Sequence, residues 1–148
     1  MADSDVLDVE RLSVRFTSPE GDVTAVRDVS FSVPEGGSVA LLGESGSGKT
    51  ATARAIMNIL DDNAIVGGSI RFRGRELVGL DEESYQKLRG AEIAMVFQDA
   101  QSALNPAYTV GWQIAEVYRL RDGRRRSQAK RLAIEALERV GIPDAARR

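Results

Sequence analysis

Along the chain the spacing of apolar positions changes period repeatedly. Leu12, Val14 and Phe16 alternate with Ser13 and Arg15, and Val29, Phe31 and Val33 alternate with Ser30 and Ser32. Period two on both sides of the turn-rich TSPEGD predicts two half-buried strands in an antiparallel β layer. After the punctuation of Pro34, Gly36 and Gly37, Val39, Ala40, Leu41 and Leu42 run on without a polar residue, as a strand buried on both faces does. Lys49 to Leu60 is rich in alanine and free of breakers, which predicts a helix. DDNAIVGG, residues 61–68, reads as a loop, Ile70 and Phe72 as a short strand, and DEESYQKLRG as a helical turn or two with acids at its start and Gly90 beyond its end. Ile93 to Phe97, IAMVF, is a second continuous apolar strand. Beyond it the period turns helical. Val110, Ile114 and Val117 share one face behind Thr109 as N-cap, and Ala129, Leu132, Ala133, Ala136, Leu137 and Val140 form a stripe between Ser127 and Gly141.

Between the first apolar run and the first helix stands GESGSGKT, residues 43–50. Gly43, four residues, Gly48, Lys49 and Thr50 match the phosphate-binding P-loop pattern, and strand, glycine loop, helix is the order that chemistry requires. Gly43, Gly46 and Gly48 let the backbone approach phosphates with no Cβ in the way. Lys49 supplies a point charge to the β and γ phosphates, and Thr50 offers its hydroxyl to Mg²⁺. The loop residues Gly43, Glu44, Ser45, Gly46, Ser47, Gly48, Lys49 and Thr50 are thus the candidate binding set for a nucleotide, although the Glu44 carboxylate itself reads as solvated. A second candidate is Gln98, which follows the IAMVF strand. Ligands gather beyond the carboxyl ends of strands in open α/β sheets, so its amide is placed to ligate Mg²⁺ or orient water.

Composition narrows the partners. The 148 residues hold 20 Lys and Arg against 22 Asp and Glu, a formal net charge of -2, which argues against a dedicated nucleic-acid binder. There is no cysteine, hence no disulfide or thiolate metal site, and no histidine. No apolar run approaches the length of a membrane span, and the acidic start MADSDVLDVE does not read as a signal peptide, so the expectation is a cytoplasmic protein. RDGRRR with Lys130 and Arg131 reads as a solvated helix entrance.

GESGSGKT followed some fifty residues later by VFQDAQSALNPAYTVGWQI resembles the ATP-binding subunit of an ABC transporter, in the dipeptide, oligopeptide and nickel importer branch. The likeness runs from LSVRF and AVRDVSFSV through VGIPDAARR. It implies an α/β fold, a P-loop NTPase of ABC type with an antiparallel β layer, a P-loop core to about residue 98, and a glutamine loop with the start of a helical subdomain over 99–148. It implies that Gln98 is the loop glutamine near the permease surface and that Phe16 stacks on adenine. The partners implied are integral membrane permease subunits and a second ABC ATPase subunit, on the inner face of the membrane. An LSGGQ-type signature, a second acidic strand-end motif with its catalytic Glu and a switch histidine do not occur in these residues, and Asp99 lies past the glutamine. The expectation is therefore an N-terminal portion with no catalytic residue, whose Val39 to Leu42 strand lacks its usual neighbours. Two alternatives stand beside it: a non-catalytic ATP-binding fragment, and a soluble ABC-type ATPase of DNA repair or translation.

Overall fold

A computed structural model describes residues 5–99 and 103–148. The chain divides into two compact units, Met1–Ala94 and Met95–Arg148.

The first unit is built on a four-stranded antiparallel sheet. β1 (Asp5–Phe16) lies between β2 (Val23–Pro34) and β3 (Ala64–Phe72), and the two-residue β4 (Arg75–Glu76) pairs with β3, in the order β2-β1-β3-β4. The expected hairpin around TSPEGD is present, with Val14 opposite Val26 and Phe16 opposite Val23. Val9, Leu12 and Val14 are all fully buried although Val9 and Leu12 are three residues apart, which breaks the period of two. The register shows why: Glu10 pairs with Ser69 and Ser13 with Gly67, so Arg11 and Leu12 stand opposite the single residue Gly68. This bulge, with Arg11 at φ 48°, resets the phase and turns Leu12 inward.

Two helices pack on this sheet. α1 (Lys49–Ile56) contributes Ala55 and α2 (Glu82–Leu88) contributes Tyr85 and Leu88 to one core with Val9, Leu12, Val14, Val26, Ile70, Phe72 and Leu77. Each fully buried Val or Leu of this set stabilises the fold by about 1.5–3 kcal/mol. α1 ends four residues before the Leu60 that composition suggests. Asn58 adopts φ 50°, its N–H donates to the Ala55 carbonyl, and Ile59 N–H donates to the Arg54 carbonyl. That is a Schellman stop, with asparagine filling the left-handed position usually held by glycine. α2 starts as expected: the Asp81 side chain accepts from Ser84 N–H at 2.9 Å and from the Ser84 hydroxyl at 2.8 Å. Those two bonds hold the Asp81 carboxyl below its usual pKa. Burial pushes the Tyr85 phenol up to about 12.

Three expectations are corrected. Val39 to Leu42 forms no strand and is exposed, Leu42 at 91%. Ile93 to Phe97 forms no strand either: only Ile93 makes a bridge, to Arg89, and Val96 is 89% exposed. An apolar run becomes a strand only where neighbouring strands accept its hydrogen bonds, and the sheet ends at β2 and β4. Conversely, Ala64 to Gly68, read as loop, is strand.

The second unit is a helical pair. α3 (Val110–Asp122) is capped by the Thr109 side chain, which accepts from Trp112 N–H, and it ends at Gly123. α4 (Arg126–Arg139) buries Ala129, Ala133 and Leu137, and Gly141 closes it with a second Schellman stop in which Ile142 N–H donates to the Leu137 carbonyl. A 3-10 turn, Ala145–Arg147, follows. Of the stripes read from the sequence, Val117 and Val140 remain exposed. Among the described residues no helix is long and apolar enough to cross a membrane.

Candidate functional site

The glycine loop is held between β2 and α1 by backbone contacts. The β1–β2 register shifts between Val14 opposite Val26 and Arg15 opposite Thr24, which leaves Ala25 as an extra residue on β2. The loop leans on that residue: a Cβ built on Gly48 would meet the Ala25 carbonyl oxygen at 2.3 Å and Val26 Cγ2 at 3.2 Å. Gly48 is also the N-cap of α1, at φ 91°. Glycine is required here twice over, by the left-handed backbone and by the close approach. Thr52, itself buried, ties the first turn down by donating its hydroxyl to the Gly48 carbonyl at 3.0 Å.

Lys49 folds back over the loop. Its ammonium donates to the Gly43 carbonyl at 2.8 Å, the Glu44 carbonyl at 2.7 Å and Ser47 Oγ at 3.2 Å. An ammonium has three donors, so all three are engaged. The two carbonyls fix the charge above the loop, and the contact to the hydroxyl is the longest. Ser47 Oγ sits where a Cβ on Gly43 would be, 2.6 Å away. The backbone N–H groups of Gly46, Gly48, Lys49 and Thr50 have no partner among the described residues, and Thr50 is exposed at the start of α1. Four open N–H donors, a helix N-terminus and a fixed ammonium form a cradle of the right chemistry for a polyphosphate.

Phe16 closes β1, half-buried against the core, opposite Val23 and Ala64. Its position is secured by the next residue: Thr17 N–H donates to the Asn63 carbonyl at 3.0 Å, and Asn63 Nδ2 returns a bond to the Thr17 carbonyl at 2.9 Å. Val23 and Ala25 are two residues apart on β2, roughly 7 Å at the rise of a strand. The structure thus brings Phe16 and the glycine loop to the same end of the β1–β2 hairpin. Gln98 belongs to the second unit, in an exposed irregular stretch, and Gln101 and its neighbours 100 and 102 lie outside the described residues. The contribution of Ala25 was not visible in the sequence, because it acts through its carbonyl and a register shift rather than through a side chain.

A lysine that opens a helix behind a glycine loop, beside an antiparallel β layer, is the arrangement of a P-loop NTPase domain. The family model described as ABC transporter matches residues 26–148, and the chain belongs to that family. It is 44% identical over 147 residues to the dipeptide transport ATP-binding protein DppD of Lactococcus lactis subsp. cremoris, across 98% of this chain and 42% of that protein. It is 43% identical over 143 residues to the oligopeptide transport ATP-binding protein OppD of Escherichia coli, across 97% and 42%. The corresponding protein of Salmonella typhimurium is 42% identical, across 97% and 43%. The chain spans less than half the length of these relatives.

Proposed function

We propose that this chain supplies the ATP·Mg²⁺-binding half of a nucleotide-binding domain that powers peptide import, docked on permease subunits at the inner face of the membrane and paired with a second ATPase subunit. The observation that carries the reading is the Lys49 ammonium pinned over a loop whose N–H groups at Gly46, Gly48, Lys49 and Thr50 have no partner among the described residues. The residues fit the ligand. The open N–H groups cradle phosphate oxygens, and Lys49 exchanges its long contact to Ser47 Oγ for a phosphate while keeping its carbonyl anchors. Thr50 presents a hydroxyl for Mg²⁺, which brings charge neutralisation to the phosphates when bound. Phe16 stacks on the base, and Gln98 contributes a metal or water contact. The peptide substrate class rests on the names of the transport proteins the chain resembles.

Hydrolysis needs more than these groups. With no catalytic carboxylate assigned among them, positioning by Lys49, Thr50 and Gln98 alone should give negligible turnover. The test is ATP titration with Mg²⁺ and then with the metal chelated. Saturable binding that weakens several-fold without Mg²⁺ is expected; binding that is indifferent to the metal contradicts the assignment of Thr50.

A further inference from the structure

The RDGRRR stretch opens α4 as its composition implies, yet it gathers more charge than a helix entrance needs. Residues 119–131 hold seven Lys and Arg against one Asp, while the other residues hold 13 against 21. The tip of the α3–α4 hairpin is therefore strongly cationic on a chain that is otherwise acidic. The turn itself is well defined: Gly123, at φ 61°, ends α3, and the Arg124 N–H donates to the Tyr118 carbonyl. Every residue from 119 to 128 is exposed. Two features of this tip run against local stability. Arg125 and Arg126 stand at the N-cap and first position of α4, the positive end of the helix dipole, with no side-chain cap and no acid in the first turn. On α3, Leu120 is 77% exposed, and Val117, three residues back on the same face, is half-exposed. Local rules are broken without a compensating gain chiefly where a surface serves a partner.

We propose that the α3–α4 tip is a docking surface for the headgroups of an anionic lipid bilayer, with Arg121, Arg124, Arg125 and Arg126 meeting the phosphates and Leu120 entering the acyl boundary. Charge complementarity and the exposed leucine select this occupant. Each cation held near an anionic leaflet strengthens binding by about fivefold, and an inserted apolar side chain adds to it. A nucleic acid would use the cations but leave Leu120 and Val117 in water, and residues 119–131 offer no aromatic ring for a base to stack on. The acidic remainder of the chain is repelled by such a bilayer, so attraction is confined to the tip. The inference stands on the helical unit and does not rest on the nucleotide reading.

Flotation of the chain with lipid vesicles tests it. The expected result is binding to vesicles of equimolar phosphatidylglycerol and phosphatidylcholine, at least about tenfold less to phosphatidylcholine alone, and loss of the difference at about 0.5 M salt. Arg124→Gln combined with Arg125→Gln should weaken binding at least about tenfold without lowering the thermal unfolding midpoint, because cations at a helix N-terminus do not stabilise it. Arg27→Gln combined with Arg75→Gln removes the same charge from exposed positions of the first unit and should leave binding unchanged. Leu120→Ser should weaken it several-fold. Absent binding, equal binding to the two kinds of vesicle, no loss in the tip pair or an equal loss in the first-unit pair overturns the proposal. Displacement of the vesicles by duplex DNA, with no effect of Leu120→Ser, also overturns it, by assigning the tip to nucleic acid.

Discussion

The carbonyl oxygen of Ala25 stands 2.3 Å from the point where a Cβ on Gly48 would be, so the bulged residue of β2 and the N-cap of α1 share a contact that only glycine permits. Through it the β layer sets the angle at which α1 presents its N-terminus to a ligand. Gly48→Ala combines a left-handed φ with a backbone clash and is expected to cost about 1–3 kcal/mol in stability. It should also weaken ATP by at least about tenfold, as loss of one charge-assisted contact does. Gly46, at φ 82°, has open space around its Cβ direction and carries the strain alone, so Gly46→Ala costs less. Urea denaturation of the two variants checks the order; a Gly48→Ala protein as stable as the unmodified chain contradicts the role of Ala25.

Phe16 is expected to bind the base and not the phosphates. Phe16→Ala should cost about 1–3 kcal/mol of ATP affinity, as removal of an aromatic stacking partner does, and leave tripolyphosphate affinity nearly unchanged. Calorimetry with both ligands separates the cases. Parallel losses would mean that the side chain only packs against the core, as its half-buried position allows.

Glu76 links β3, β4 and the entry to α2. Its Oε1 accepts from the backbone N–H groups of Ile70, Leu77 and Val78 at 3.0–3.1 Å, and its other oxygen accepts from the Ser69 hydroxyl. Partial burial raises the pKa of the carboxyl, but the Ser69 hydroxyl and the three N–H groups outweigh it and hold the pKa below its ordinary 4.5. A depressed carboxylate stabilises fully above its unfolded pKa, and the contribution is lost as pH falls through the folded one. With the side chain 45% exposed, solvent screening limits that contribution to about 1 kcal/mol. Glu76→Gln should therefore lower the unfolding midpoint at pH 7, by a gap that narrows as pH falls below the ordinary carboxylate range. A gap that persists or widens in acid contradicts this.

The 38–42 segment should drive self-association. Its residues make no strand, Val39 and Leu41 are exposed, and Leu42 is almost fully so, beside backbone groups that pair with nothing in the sheet. Such an exposed apolar stretch recruits other chains. Sedimentation velocity of the chain should show mass rising with concentration, and Leu42→Lys should suppress it. A monomer at all concentrations refutes the expectation.

Much of this architecture was legible because it is local. The Thr109 cap, the acidic start of α2, the Gly141 stop and the β1–β2 hairpin depend on residues close in sequence, and the structure contains each of them. The misreadings are tertiary. Val39 to Leu42 and Ile93 to Phe97 carry strand composition, but composition does not provide the neighbours that a strand needs. Gly67 and Gly68 were read as part of a loop, yet a Cβ there would strike Ser13 Oγ at 2.7 Å and the Arg11 carbonyl at 2.4 Å respectively. They are glycines because β3 passes close to the bulge in β1, a relation between residues more than fifty positions apart that no local pattern carries. In the candidate site the loop was read directly, whereas Ala25 was not.

Lys49 is where the account is most exposed. Its ammonium is fixed by the Gly43 and Glu44 carbonyls over the loop's open N–H groups. Calorimetric titration of ATP·Mg²⁺ into the chain and into a folded Lys49→Ala variant measures that assignment directly. The account predicts saturable binding by the first, at least about tenfold weaker binding by the second, since a charge-assisted contact worth about 1.5–3 kcal/mol is removed, and phosphate release no faster from the chain than from the variant. Equal ATP affinity in the two proteins would contradict the nucleotide site itself.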